Sequence, residues 1–162
     1  MTIRYKLTNE KLQTHNSFQW ILGEWQETDG HGDLCDSGWL HCYCDPLLAI
    51  MHNPIHVNIS TPKLWEVEVE GKTKSEGQMK EGWTRMRILC ELPLPKISIE
   101  QRVRYAILCT LEVCSEPSFR TWAIDWLDNT NRTEATAWEA VAVAVAAGAA
   151  AKHMHIDLAA LA

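Results

Sequence analysis

The clearest strand pattern in this 162-residue chain is KLWEVEVEGKTKSEGQMKEGWTRMRILCELPL, at residues 63–94. Apolar side chains alternate with Glu68 and Glu70 in the first half of the stretch, and with Arg85 and Arg87 in the second half. A period of two is typical of strands with one buried face. The pattern predicts an antiparallel pair whose glutamates oppose the arginines and whose apolar faces share a core. The predicted apolar faces consist of Trp65, Val67 and Val69 in the first strand and Met86, Ile88, Cys90 and Leu92 in the second.

Shorter extended segments precede this pair. The stretch RYKLT, residues 4–8, sets Tyr5 and Leu7 against Lys6 and predicts a strand. A second strand is expected in FQWILGEW, residues 18–25, where alternate apolar residues share one face before a glycine turns the chain.

The sequence predicts one short helix near residue 46 and further helices after residue 98. Asp45 and Pro46 supply an N-cap and a first helical residue for a short helix in DPLLAIMHN. From Ser98 the hydrophobic period changes to about 3.6, and Ser98 with Gln101 has the spacing of a capping box. Pro117 restarts a second helix, and the alanine-rich stretch after it predicts a third.

The elements together predict an α+β fold: a small antiparallel sheet with one short helix, followed by two or three C-terminal helices. We expect a β-rich domain at residues 1–97 and a helical, alanine-rich segment at residues 98–162. The small side chains of that segment favour close packing on the first domain or on a second subunit, which would form a homodimer.

Composition and charge narrow the class of protein. The net charge of −6 argues against direct nucleic-acid binding, which needs clustered Lys and Arg, and it suits a protein partner. The N-terminus lacks the apolar segment of a signal peptide, and the alanine-rich tail is too polar for a membrane span. We therefore expect a bacterial cytoplasmic protein without membrane contact, whose six cysteines are reduced.

A cysteine-rich segment, LCDSGWLHCYCDPL at residues 34–47, raises the question of a metal site. Cys35, Cys42 and Cys44 are the candidate zinc ligands, and His41 stands among them. A single residue separates Cys42 from Cys44, whereas zinc knuckles place two residues between paired cysteines. The spacing favours small buried thiols, with a zinc-stabilised module as an alternative.

The run EVEVE offers an enzymatic hypothesis. ADP-ribosyltransferases of the Glu-x-Glu type use alternating glutamates on one strand to bind the ribose and polarise the nicotinamide bond. Glu68 and Glu70 would have that role here, with NAD as the cofactor. The pattern is short, and a solvated strand face whose glutamates meet Arg85 and Arg87 explains it more simply.

Four stretches together resemble a small domain family of unassigned function that is frequent in tailed phages and prophages. They are YKLTNEKLQTHNSFQWILGEW, LCDSGWLHCYCDPLLAI, WEVEVEG and TRMRILCEL, and the resemblance covers about residues 3–95. Family members typically begin with Tyr-Lys, carry a Leu-Cys-x-x-Gly-aromatic-His-x-Cys segment and start a helix at Pro-Leu. A Glu-bearing and an Arg-bearing strand follow. The resemblance implies an accessory protein of a mobile element and assigns no reaction.

A non-catalytic binding protein is the favoured function. The eight tryptophans exceed the needs of a core of this size, and Trp is enriched among binding hot spots. Trp39, His41, Trp122 and Trp126 are the candidate binding residues for a protein partner, and an inhibitor of a host defence system of the anti-CRISPR type is one such role.

Two alternatives remain open beside it. A loose likeness to ADP-ribosyltransferase-like folds implies an NAD-dependent enzyme built on Tyr5, His41 and Glu68 or Glu70. The other alternative is the zinc-stabilised module.

Overall fold

The computed structural model describes residues 1–53, 58–77 and 80–132. Residues up to Lys96 form one compact unit, and a second begins at Ile97. The first unit contains β1 (Thr2–Thr8), β2 (Gln26–Glu27), β3 (Leu40–Cys42), α1 (Pro46–Met51), β4 (Lys63–Glu76) and β5 (Lys80–Leu92). The second contains α2 (Ile99–Val113) and α3 (Pro117–Leu127).

The strands form one antiparallel sheet in the order β1-β4-β5-β2, with β3 also paired to β5. The backbones of Tyr5 and Tyr43 exchange two hydrogen bonds of 2.9 and 2.8 Å, so the segment after β3 also meets β1. With one short helix beside the sheet and helices in the C-terminal part, the fold is α+β, as the sequence predicted.

The register of β4 and β5 confirms the predicted pairing of glutamates with arginines. Glu68 lies opposite Arg87 and Glu70 opposite Arg85, and each pair forms a salt bridge. The ring of Trp25 covers both guanidinium groups: its centre lies 4.1 Å from Cζ of Arg85 and 4.7 Å from Cζ of Arg87. The two arginines on the polar face of the hairpin therefore make both ion pairs with glutamates and cation–π contacts with Trp25.

A bulge in the same hairpin changes the predicted buried face. Glu66 pairs with Cys90, but the next residue, Val67, pairs with Ile88, so the ladder skips Leu89. An extra residue inverts the alternation of side chains beyond it. Cys90 is consequently exposed, and its predicted place on the apolar face is wrong.

The core of the first unit lies on the apolar face of β4 and β5. It consists of Trp20, Leu40, Cys42, Trp65, Val67, Val69, Met86 and Ile88. Burying one such aliphatic side chain contributes about 1.5–3 kcal/mol.

The strand predicted at residues 18–25 is wrong. The chain there is irregular, and the Trp20 amide donates to the carbonyl oxygen of Leu12 at 2.8 Å. Trp20 is 1% exposed, while Phe18 and Leu22 are 40% and 54% exposed. The three side chains do not share a buried face, because a turn rather than a strand delivers the indole to the core.

The predicted start of α1 is confirmed. Asp45 is the N-cap, and its Oδ1 accepts a 2.7 Å hydrogen bond from the amide of Leu47, while Pro46 occupies the first helical position. The chain before β3 is tightly packed at Gly38, where a Cβ atom would overlap the carbonyl oxygen of His31. Glycine is therefore required at this turn.

The C-terminal unit confirms the capping box at the start of α2. The amide of Gln101 donates to Ser98 Oγ at 3.1 Å, and the amide of Ser98 donates to Gln101 Oε1 at 2.8 Å. Ile107, Cys114, Phe119 and Ala123 form the core between α2 and α3. The predicted alanine-rich helix and its dimer contact lie outside the described residues. No helix in the described part of the chain is long and apolar enough to cross a membrane.

Candidate functional site

A pocket of about 110 Å³ lies beside β1, β3 and α1 in the first unit. We call it the basic pocket, after four of its lining residues, Lys6, His15, His41 and Lys80; Thr14 and Tyr43 are its other polar lining residues. The other two described lining residues, Leu7 and Ala49, are apolar, so the described wall contains no acidic side chain. The pocket thus combines several nitrogen donors with a small volume.

Lys6 is the central residue of the basic pocket. Its register partner on β4 is Trp65, a member of the core, and the Lys6 side chain is accordingly buried. The ammonium nitrogen donates a 2.5 Å hydrogen bond to the carbonyl oxygen of His41 and lies 4.8 Å from the centre of the Trp20 ring. Among the described residues no carboxylate lies within salt-bridge distance of it.

Burial dominates the electrostatics of Lys6. Desolvation lowers the pKa of its ammonium group to about 8, and a weaker interaction with the Cys42 thiol opposes that shift. The group is therefore still mostly protonated at pH 7. An ammonium group has three N–H donors, of which one carbonyl takes one. A buried cation without a carboxylate partner is costly, and an anion in the pocket would relieve that cost.

His41 has a defined protonation state in the same pocket. Its Nε2 forms a short hydrogen bond with the carbonyl oxygen of Leu34. Because a carbonyl oxygen only accepts, Nε2 is the ring nitrogen that carries hydrogen. The pKa of His41 is lowered to about 4, mainly by burial; the hydrogen bond to Leu34 opposes this shift, and the cations of Lys6 and Lys80 add smaller contributions to it. The ring is neutral at pH 7, and Nδ1 is its acceptor.

Three further side chains add donors to the wall. Lys80 Nζ donates to Cys35 Sγ at 3.2 Å, which leaves two of its N–H groups. Thr14 Oγ1 accepts from Trp20 Nε1 at 3.0 Å, so its own hydroxyl hydrogen is available as a donor. His15 is exposed. The electrostatic result is a small positive site within an acidic protein.

The residues predicted for an NAD-dependent enzyme occupy different places. His41 lines the basic pocket, whereas Tyr5, Glu68 and Glu70 are absent from its wall. Tyr5 adjoins the pocket through its backbone pairing with Tyr43. Glu68 and Glu70 are held by the arginines of β5. The NAD-dependent activity stays a prediction.

The tryptophans predicted to bind a partner have structural contacts. Trp39 is buried and its Nε1 donates to the carbonyl oxygen of Gly32 at 3.2 Å. Trp122 and Trp126 are half-buried on α3, against the core of the second unit. The guanidinium group of Arg132 lies 4.1 Å from the centre of a Trp126 ring.

The three candidate zinc ligands differ in environment. Cys35 is exposed, Cys44 is half-buried, and Cys42 is fully buried with its pKa raised by desolvation to about 12. In the ranges that the structure describes, no group of three or more His, Cys, Asp or Glu side chains is placed to hold a metal ion. A zinc-stabilised module stays a prediction.

Most of the pocket was not predicted from the sequence. Lys6 stands at the polar position of an alternating strand, where a solvated side chain is usual, but here it is buried. The local pattern does not reveal that this face of β1 adjoins Trp65 and Trp20. The one available signal was the family resemblance, whose Tyr-Lys start and His-x-Cys segment contain Lys6 and His41.

The fold and the pocket together define a small α+β protein whose N-terminal unit has a buried cationic site. A family model described as a domain of unknown function, DUF7666, matches residues 2–100, and the chain belongs to that family. Comparisons with curated proteins and with solved structures gave no match.

Proposed function

We propose that the N-terminal unit is a binding domain that holds an anionic group of its partner in the basic pocket. The observation that carries this proposal is Lys6, a buried ammonium group without a described carboxylate partner at a pocket wall. A structural lysine would normally reach solvent or pair with an acid, because burying an unpaired charge is unfavourable. An anionic ligand supplies the missing charge.

We also infer that the protein acts by binding rather than by catalysis, as an accessory protein of a mobile element. The resemblance of residues 3–95 to a family frequent in phages supports the setting. A protein partner suits the acidic surface, and inhibition of a host defence system is a role of that class. The basic pocket would accept one anionic side chain or modified group of that partner.

The test is an NMR titration of the isotope-labelled full chain with acetate, phosphate and sulfate. The indole N–H of Trp20 is the reporter, since its ring lies under Lys6 and its nitrogen contacts Thr14. At least one anion should shift this signal saturably. Lys6→Met should weaken the binding about tenfold or more, because hydrogen bonds to charged groups contribute about 1.5–3 kcal/mol.

Lys63→Met is the matched control. Lys63 is a more exposed lysine on β4 that pairs with Glu91 at 3.0 Å, and it does not line the basic pocket. Its replacement should leave the titration unchanged. If no anion shifts the Trp20 signal, or if both variants lose affinity equally, the proposed function is wrong.

A further inference from the structure

We propose that the basic pocket binds a phosphate group that carries a hydrogen, and that His41 Nδ1 accepts the hydrogen bond from it. This inference rests on the proposed function and specifies its ligand class. The shared chemistry is a hydrogen phosphate, either free or as the terminal group of a phosphate monoester. The volume, the donors and the acceptor of the pocket each support it.

Volume limits what enters the pocket. Sites for drug-sized ligands occupy about 300–1,000 Å³. The basic pocket, at about 110 Å³, has room for one tetrahedral oxyanion but not for a nucleotide or a sugar. Any larger molecule must therefore present a single small group to it.

The donors suit an ion with several oxygens. Lys6, Lys80 and Thr14 line the pocket, and their polar groups are two ammonium groups and one hydroxyl. These groups belong to β1, to the start of β5 and to the loop between β1 and β2. Donors arriving from three segments fit an ion that accepts from several directions, and phosphate offers three strong acceptor oxygens even as a monoester.

The acceptor distinguishes among anions of the same shape. The hydrogen bond to Leu34 commits the Nε2 hydrogen of His41, so the neutral ring presents only a lone pair at Nδ1. Near pH 7 inorganic phosphate carries at least one hydrogen, whereas a phosphate monoester, whose second pKa is about 6, carries one only in its monoanion, which predominates below that pH. Sulfate has the same tetrahedral form without a hydrogen. An unmatched acceptor should weaken sulfate binding about 10- to 100-fold.

The experiment is isothermal calorimetry of the full chain at pH 6.5 with inorganic phosphate, methyl phosphate, sulfate and acetate. We expect inorganic phosphate to bind at least about tenfold more tightly than sulfate. About a quarter of methyl phosphate carries a hydrogen at pH 6.5, so binding about fourfold weaker than that of inorganic phosphate shows that the pocket accepts a monoester, and exclusion of methyl phosphate identifies free phosphate. Sulfate binding as tight as phosphate binding overturns this inference and leaves the proposed function standing. Absence of binding by all four anions overturns both.

Variants of His41 distinguish the role of Nδ1 as an acceptor from that of the Nε2 hydrogen bond to Leu34. Gln offers an amide N–H for Leu34 and an oxygen acceptor, so His41→Gln should keep the preference for phosphate over sulfate. His41→Leu should reduce the ratio of the two affinities to about one, because the acceptor is lost. His31→Leu, at an exposed histidine, is the control and should retain the ratio. A preference for phosphate that survives in His41→Leu overturns the role of His41.

If His41→Leu does not fold, NMR spectroscopy of the wild-type protein tests the role of His41 Nδ1 instead. In the wild-type protein, ¹⁵N spectra of the His41 ring should show hydrogen on Nε2 and none on Nδ1. Phosphate should shift the Nδ1 resonance in the direction of hydrogen-bond acceptance, and sulfate should leave it in place. A ring with hydrogen on Nδ1, or an identical response to both anions, contradicts the proposal.

Discussion

The ammonium nitrogen of Lys6 and the main-chain carbonyl oxygen of His41 are 2.5 Å apart. This hydrogen bond joins β1 to β3, whose residues are far apart in the sequence, and it fixes the charge of the basic pocket next to the His41 ring. Lys6 thereby has a part in the fold as well as in the proposed site. Changing the pH removes the charge of Lys6 and so separates its effect on stability from its role in binding an anion.

The stability of the protein should depend on the protonation of Lys6. The folded-state pKa of about 8 lies below the ordinary value of 10.5, so between these values the unfolded chain holds more protons than the folded one. The free energy of unfolding therefore rises with pH through this window, by about 3 kcal/mol for a shift of this size. Lys6→Met removes the effect.

Urea unfolding of the wild type and of Lys6→Met at pH 7.5 and at pH 10 provides the measurement. At pH 7.5 Lys6→Met should be the more stable protein, because an apolar side chain replaces a buried charge of similar length. The advantage should shrink at pH 10. Cys42 and Tyr43, whose pKa values are raised mainly by burial, are present in both proteins, and only the smaller interaction between Cys42 and Lys6 differs between them. Identical pH profiles would contradict the burial of a charged Lys6.

His41 should contribute to instability in acid. Its pKa of about 4 in the folded state lies below the ordinary value of 6.5, so the unfolded chain gains a proton first as the pH falls. The free energy of unfolding consequently falls between pH 6.5 and pH 4. We expect a shallower decline for His41→Gln in urea unfolding series. His52, which is also buried with a lowered pKa, is common to both proteins. A decline of equal slope would exclude a buried neutral His41.

Gly38 should be intolerant of a side chain. The overlap of an added Cβ with the His31 carbonyl oxygen involves backbone on both sides, so no rotamer relieves it. Gly38→Ala should lower the free energy of unfolding by more than about 2 kcal/mol. Gly23→Ala is the control: its φ of +79° gives strain, but a Cβ there has no atom within 4 Å, and the loss should be about 1 kcal/mol. Equal losses in thermal or urea unfolding would disprove the clash.

The two ion pairs of the hairpin should differ in strength. The Glu68 side chain is 7% exposed and that of Glu70 is 44% exposed, although each pairs with an arginine of β5. Glu68→Gln should destabilise the fold by about 1–3 kcal/mol, because it weakens a desolvated pair. Glu70→Gln should change stability by less than about 1 kcal/mol. Urea unfolding of both variants checks the order, and a larger effect at Glu70 would contradict it.

The sequence predicted those features that depend on neighbouring residues. Alternation over residues 63–94 indicated the hairpin and the pairing of its glutamates with arginines, and the caps at Asp45 and Ser98 indicated the starts of α1 and α2. Such signals are local, so a single chain displays them.

Features that depend on distant contacts were missed. The bulge at Leu89 depends on the register in which β4 and β5 pair. It places Cys90 at the surface. Burial of Lys6 depends on the turn that places Trp20 against β1. The sequence of β1 alone predicts a strand with one solvent-exposed face. Alternation with a period of two shows which residues share a face, but it does not show which other residues cover that face.

An NMR pH titration of the Lys6 side chain, with and without saturating phosphate, tests whether the basic pocket contains a buried cation that receives an anion. Without ligand the pKa should be about 8, and phosphate should raise it, because a bound anion stabilises the ammonium form. Lys63→Met, which leaves the lining of the basic pocket unchanged, should leave both values unaltered. A Lys6 pKa that phosphate leaves unchanged, or one at the ordinary value of 10.5, would contradict a buried cation that receives an anion.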